Sequence, residues 1–77
     1  MKQFVTVVIL EHPEFAGLSS VIEERNFNTM DAARKHSSNL LRVYRGEQYT
    51  FVSKEAPFVL DDYISMLVLE REEEARW

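Results

Sequence analysis

The sequence contains no cysteine, only two glycines and two prolines, and no long apolar segment. Without cysteine the chain cannot hold a disulfide scaffold, a thiolate zinc site, an iron–sulfur cluster or a cysteine nucleophile. With so few glycines it cannot form the glycine-rich loop that cradles phosphate groups. No segment reaches the ~18 apolar residues of a membrane span. These absences exclude most cofactor chemistry and leave a chain that must be stabilised by packing.

Patterns typical of catalytic and metal sites are missing as well. The two histidines, His12 and His36, have no further ligand at a known zinc-site spacing. The serines stand in no G-x-S-x-G motif, and the neighbouring Asp61 and Asp62 suit a helix cap better than an acid–base pair. We therefore expect a protein that is not an enzyme and has no catalytic, cofactor-binding or metal site.

The chain is short, and its 77 residues suffice for a single domain over residues 1–77 with one core. No Gly/Ser/Pro-rich linker and no internal repeat divides it. An apolar run at residues 4–10 follows Lys2, but charged residues come directly after it and no small-x-small cleavage site is present. The lack of an export signal predicts a cytoplasmic location without membrane association.

The apolar pattern predicts an α+β fold. Residues 4–10 are apolar at both parities, as in a central strand. Residues 18–27 alternate imperfectly and predict an edge strand, while residues 48–54 predict another strand that ends before Pro57. The expected architecture is a small antiparallel sheet of three to four strands, packed on one central amphipathic helix in the order β-β-α-β.

A helix from Thr29 to Arg45 has the strongest local signals. Asn28 or Thr29 supplies an N-cap oxygen, and Gly46 follows as a stop. With about 100° per residue, one face of this helix carries the apolar side chains of Met30, Ala33, Leu40, Leu41 and Tyr44. The opposite, basic face carries Arg34, Lys35, Arg42 and Arg45. Such a face is typical of an ordinary solvated helix, or of a surface that contacts phosphates or an acidic protein patch.

The C-terminal segment, residues 58–77, is compatible with either a helix or a fourth strand. A helix would be capped by Asp61 and Asp62, with an apolar stripe formed by Leu60, Tyr63, Ile64, Leu67 and Val68. A strand would explain why residues 63–69 are apolar on both faces. The composition of residues 70–76 favours the helix, and both alternatives give an α+β fold.

Charge is segregated along the chain, although the net charge is only −4. Residues 1–28 carry a net −2, residues 29–45 carry +3 and residues 46–77 carry −5. The acidic total argues against a general polyanion binder. The basic middle and the acidic end nevertheless define two separate candidate surfaces.

Three functional hypotheses follow from these surfaces. The first is a non-catalytic module that binds a protein partner through acidic residues and through more apolar residues than one helical stripe can bury. The acidic set is Asp61, Asp62, Glu70, Glu72, Glu73 and Glu74, and the apolar set is Phe58, Met66, Leu69 and Trp77. The second is nucleic-acid binding by the basic face, which lacks the aromatic neighbours of a single-strand stacking platform. The third is a homodimer in which the C-terminal segment pairs across a two-fold axis.

A short, acidic, cysteine-free α+β chain looks like the small accessory and inhibitor proteins of phages and mobile elements. The likeness is one of size and composition, because no stretch carries a family signature. It implies a partner within a nucleic-acid-handling complex, bound through the acidic and apolar C-terminal region.

Overall fold

A computed structural model describes residues 2–74 and shows three strands and two α-helices. The elements are β1 (Phe4–Leu10), β2 (Ser20–Phe27), α1 (Met30–Leu40), β3 (Tyr49–Glu55) and α2 (Leu60–Glu74), with a 3-10 turn at Ala16–Leu18. The strands form one antiparallel sheet in the order β2-β1-β3. The predicted α+β class and the β-β-α-β order are confirmed, and in the C-terminal segment Leu60–Glu74 form a helix.

The central strand β1 is covered on both faces of the sheet. Val5, Val7 and Ile9 point to one face and are at most 1% exposed. Partly buried residues from both neighbouring strands and from the C-terminal part of the chain pack against them: Val21, Val52, Ala56, Phe58 and Tyr63. Thr6 and Val8 point to the other face, which α1 covers. This double coverage explains why residues 4–10 are apolar at both parities.

A buried hydroxyl ties α1 to the centre of the sheet. The Oγ1 atom of Thr6 donates a hydrogen bond to the carbonyl oxygen of Ala33 at 2.5 Å. The same hydroxyl lies 3.2 Å from the hydroxyl of Ser53 on β3. Thr6 is 1% exposed, so both contacts replace the water that its hydroxyl would otherwise bind.

The N-terminus of α1 agrees with the sequence prediction, but its C-terminus does not. The side chain of Thr29 accepts a hydrogen bond from the backbone N–H of Ala32, as an N-cap should. The helix ends at Leu40, five residues before Arg45. The residues leading to this end are Ser37, Ser38 and Asn39, whose side chains compete for backbone hydrogen bonds and weaken a helix.

The chain leaves α1 through a tightened turn. The N–H of Arg42 donates to the carbonyl of Asn39 and that of Val43 to the carbonyl of Leu40, both three residues back. Gly46 then adopts a φ of 128°, which side-chain-bearing residues rarely adopt, and the chain enters β3. Because Arg42 and Arg45 lie beyond the helix, the prediction of a four-residue basic face on a single helix is wrong.

The apolar face predicted for the central helix is only partly buried. Ala33 and Leu40 are buried, and Met30 and Tyr44 are half-buried. The ring of Tyr44 packs 5.4 Å from that of Tyr49, centroid to centroid. Leu41, which the prediction placed on the same face, is 56% exposed because it lies past the end of α1.

Both outer strands are sheet edges. β2 is the predicted edge strand, and it begins at Ser20 rather than Leu18. A bulge interrupts its register, because Val8 lies opposite Glu23 while Ile9 lies opposite Val21. β3 forms the other edge and keeps a regular register with β1 over its whole length.

The helix α2 packs Tyr63 against the core cluster and reaches the 3-10 turn. Leu60, Tyr63, Ile64 and Leu67 are half-buried, whereas Val68, which was predicted in the same stripe, is 39% exposed. Neither helix in the part of the chain that the structure describes is long and apolar enough to cross a membrane.

Candidate protein-binding surface

The outer side of α2 combines exposed apolar and acidic side chains. Asp62, Met66, Leu69 and Glu73 follow one another at spacings of four, three and four residues, so they lie along one line of the helix. Met66 is 50% and Leu69 is 60% exposed. They remain exposed because the half-buried residues of α2 occupy its opposite side.

A groove between α2 and the 3-10 turn lies on a neighbouring side of α2, where Val68 lines it. Its cavity of about 500 Å³ is lined by Phe15, Ala16, Gly17 and Val68, together with the charged residues Glu14, Arg71 and Glu72. Phe15 is 61% exposed, and Leu18 of the same turn is 66% exposed. We call Phe15, Leu18, Met66, Val68 and Leu69 the α2–turn surface.

His12 holds the segment that carries Phe15. Its Nδ1 atom accepts hydrogen bonds from the backbone N–H groups of Glu14 at 3.2 Å and Phe15 at 3.0 Å. Its ring also packs 5.6 Å from the ring of Phe15, centroid to centroid. The sequence analysis did not include Phe15 or Leu18 in a binding surface. The available signal was a large apolar residue, Phe15, between the two predicted strands.

Two polar contacts fix the position of α2 at the end of β1. The hydroxyl of Tyr63 donates a hydrogen bond to the carboxylate of Glu11. Burial, followed by this hydrogen bond and the negative charge of Glu11, raises the pKa of Tyr63 to about 12. The guanidinium of Arg71 donates to the carbonyl oxygen of His12 at 3.1 Å. These contacts orient the acidic and apolar outer side of α2 toward solvent.

The predicted acidic residues lie on α2, and the predicted apolar residues only in part. Asp61, Asp62, Glu70, Glu72 and Glu73 are all exposed on α2. Phe58 is half-buried against the core cluster, so it supports the sheet rather than the outer surface. Glu74 ends α2, and its side chain and Trp77 lie outside the described residues.

The predicted basic residues are exposed but lie on two structural elements. Arg34 and Lys35 are on α1, and Arg42 and Arg45 are in the turns that follow it. Three guanidinium groups along one side of a helix, as the nucleic-acid hypothesis requires, are therefore not present in α1.

Neither a metal cluster nor a known relative defines a site. Within residues 2–74 there is no group of three or more His, Asp or Glu side chains that could hold a metal ion. Comparison of the chain with protein families, with curated protein sequences and with solved structures gives no match.

Replacing Tyr63 with phenylalanine tests the contact between α2 and β1. We expect the free energy of unfolding to fall by about 1 kcal/mol at neutral pH, because the hydrogen bond to Glu11 is lost. The unfolded chain releases the tyrosine proton near pH 10.0 and the folded chain only near pH 12. The free energy of unfolding therefore falls as pH rises from 10 to 12, and in Y63F this fall should be smaller.

Urea unfolding at several alkaline pH values measures both effects. Tyr44 and Tyr49 are present in both proteins, so the difference between the two pH profiles reports Tyr63 alone. An identical alkaline slope in the two proteins would contradict the assignment.

Proposed function

We propose that this chain is a non-catalytic module that binds a protein partner through the α2–turn surface. The observation that carries the proposal is the placement of five large, exposed apolar residues on α2 and the adjoining turn, with acidic groups beside them. Exposed apolar residues gathered in one region and bordered by polar groups are typical of protein interfaces.

The charges beside this surface favour a basic partner. Glu14 and Glu72 line the groove, and Asp62 and Glu73 flank Met66 and Leu69. The nearest cation, Arg71, already donates to the carbonyl of His12. A partner segment that carries apolar anchors next to Lys or Arg would match both properties of the surface.

The same charges disfavour the homodimer through the C-terminal segment. Two copies of α2 packed on their outer sides would bring Asp62 and Glu73 close to acidic residues of the other copy. Like charges placed together across an interface oppose binding. The acidic composition of α2 therefore favours a different protein over a second copy at this surface.

Proteins that handle nucleic acid present basic grooves, and these match the charge of α2. We propose that the partner belongs to a nucleic-acid-handling complex and that the two proteins meet in the cytoplasm. In this interpretation the chain is an accessory or inhibitor protein that occupies a basic surface of its partner.

Affinity capture from native lysate, with and without nuclease, tests the proposal. We expect M66S/L69S to retain less than about a tenth of the captured partner, because exposed apolar anchors dominate binding energy. We expect E72K/E73K to weaken capture and to remove its sensitivity to salt. Matched controls are V43S, an exposed apolar residue, and E24K, an exposed acidic residue on β2, and both should capture normally.

Two outcomes would overturn the proposal. Equal capture by all four variants would show that the α2–turn surface is not used. Capture that disappears with nuclease and with R34A/R42A would instead support the nucleic-acid hypothesis. In that case each lost phosphate contact should reduce the slope of log binding constant against log salt concentration by about one unit.

A further inference from the structure

The strand β3 exposes a regular set of backbone groups on its outer side. The N–H of Glu11 donates to the carbonyl of Gln48, and the N–H of Ala56 donates to the carbonyl of Gln3, both at 2.8 Å. In an antiparallel pair every second residue bonds across, so the even-numbered residues of β3 bond to β1. The N–H and carbonyl groups of Phe51, Ser53 and Glu55 therefore point away from the sheet.

The two edges of the sheet differ in their protection. β2 carries a bulge and the exposed residues Glu24, Arg25 and Asn26, which are features that prevent edge-to-edge pairing. β3 has no bulge, and its residues 49–53 are uncharged and rich in strand-forming types. Within residues 2–74, no backbone hydrogen bond covers the outward groups of Phe51 and Ser53. β3 is therefore the edge that is open to pairing.

We propose that β3 pairs antiparallel with β3 of a second copy of this chain, about a two-fold axis at Val52. In this register the outward groups of Phe51 bond to those of Ser53 of the partner subunit, and the reverse pair forms by symmetry. The two sheets then join into one sheet of six strands. This surface is separate from the α2–turn surface, so the dimer and the protein partner of the proposed function do not compete for the same residues.

The position of α1 favours a second copy over an isolated peptide. α1 packs on β1 and β3 about equally and less on β2, so it lies above the line between β1 and β3. Neighbouring strands are about 4.8 Å apart. A two-fold axis outside β3 would then place the two α1 helices about 10 Å apart, at the upper end of the 8–10 Å typical of packed helices.

The register along the helix brings apolar residues together. The hydrogen bond from Thr6 places Ala33 level with the pair Thr6 and Ser53. Val52 lies one strand residue from Ser53, in the direction in which α1 runs from Ala33 toward Leu40. This step of about 3.3 Å along the strand corresponds to roughly two residues of the helix. The axis therefore passes α1 near Lys35, midway between Met30 and Leu41.

Met30 and Leu41 lie on the side of α1 that would face the axis. Ala33 and Leu40 face the sheet, and His36 faces β2, where its ring packs 5.2 Å from that of Phe27. On a helical wheel the opposite flank carries Met30 and leads on to Leu41, which is 56% exposed, and the exposed Arg34 and Ser38 share this flank. Antiparallel pairing would set Met30 against Leu41 of the partner subunit and cover it.

The mass of the full chain in solution tests this dimer. Between about 1 µM and about 1 mM, sedimentation should show the weight-average mass rising from one copy toward two. S53P removes an N–H that points outward, so it should weaken the dimer at least about tenfold while β3 still pairs with β1. S53A, which removes only the hydroxyl, is the matched control and should dimerise as the original chain does.

A second pair of variants keeps the test valid if S53P fails to fold. L41K should weaken the dimer about tenfold or more, whereas V43K, at a residue that is 69% exposed, should leave it unchanged. Amide hydrogen exchange gives a residue-level readout: the amides of Phe51 and Ser53 should gain protection with concentration, and the outward amides of Glu24 and Asn26 should not.

Three results would overturn the proposal. The first is a mass of one copy at the highest concentration. The second is a dimer that S53P and L41K leave intact, or that V43K weakens as much as L41K does. The third is a dimer that M66S/L69S disrupts while the amides of Phe51 and Ser53 stay unprotected, since this would place the contact on α2.

Discussion

Replacing Ile9 with alanine is expected to lower the free energy of unfolding by about 2–5 kcal/mol. Ile9 is 0% exposed in the middle strand of the sheet and packs with Val5 and Val7. Because β2 and β3 flank it and side chains such as Val52, Phe58 and Tyr63 pack against its cluster, the surrounding atoms have little room to collapse into the cavity. A chain of this length has a total stability of roughly 4–12 kcal/mol, so I9A should be partly unfolded at moderate temperature.

Urea unfolding followed by circular dichroism measures this loss, with the midpoint shifting and the slope unchanged. V43A is the matched control, since Val43 is 69% exposed and its truncation should change stability by less than about 0.5 kcal/mol. A loss below about 1 kcal/mol for I9A would show that the core around β1 is loosely packed.

β1 could be predicted from the sequence because a strand buried on both faces is apolar at both odd and even positions. A strand covered on one face shows alternating apolar and polar residues. In β1, by contrast, Val5, Val7 and Ile9 are buried on one face, and Thr6 and Val8 are buried on the other. Thr6 is the exception in composition, and its partner, the carbonyl of Ala33, lies 27 residues further along the chain. No local pattern could have identified that bond.

The end of α1 was predicted less well because tertiary pairing decides it. Local signals, namely the basic residues and Gly46, pointed to a helix through Arg45. Tyr49 has to reach Leu10 for β3 to pair with β1, and the chain needs residues 41–48 for the turn that brings it there. Long-range strand pairing outweighed the modest helix propensity of these residues.

For a related reason, the sequence analysis included the α2 part of the proposed binding surface and omitted the 3-10 turn. The excess of apolar residues in α2 can be counted from its helical spacing, so Met66 and Leu69 were found. The exposure of Phe15 depends on how His12 holds the turn and on where α2 passes it, and neither follows from spacing. The order of the strands in the sheet also does not follow from any local sequence pattern. The unpaired edge of β3 was therefore visible only once the structure was known.

Replacing Thr6 with valine is expected to lower the free energy of unfolding by about 1–3 kcal/mol, although valine has nearly the same shape. The hydroxyl of Thr6 supplies a partner of the Ala33 carbonyl inside α1 and contacts the hydroxyl of Ser53. Valine takes one hydrogen bond from the buried carbonyl of Ala33, which keeps only the N–H of Ser37 within the helix, and it leaves the half-buried hydroxyl of Ser53 without its contact to Thr6. Each group then loses part of what compensates for its lost hydration.

A double-mutant cycle of T6V and S53A separates the two contacts of Thr6. S53A alone removes the strand-to-strand contact, while T6V removes the strand-to-helix bond as well, so T6V should cost more. Because the bond fixes α1 on β1, T6V should also speed amide exchange in α1 more than in β2. Equal stability of T6V and the original chain would mean that α1 is held by Ala33 and Leu40 packing alone.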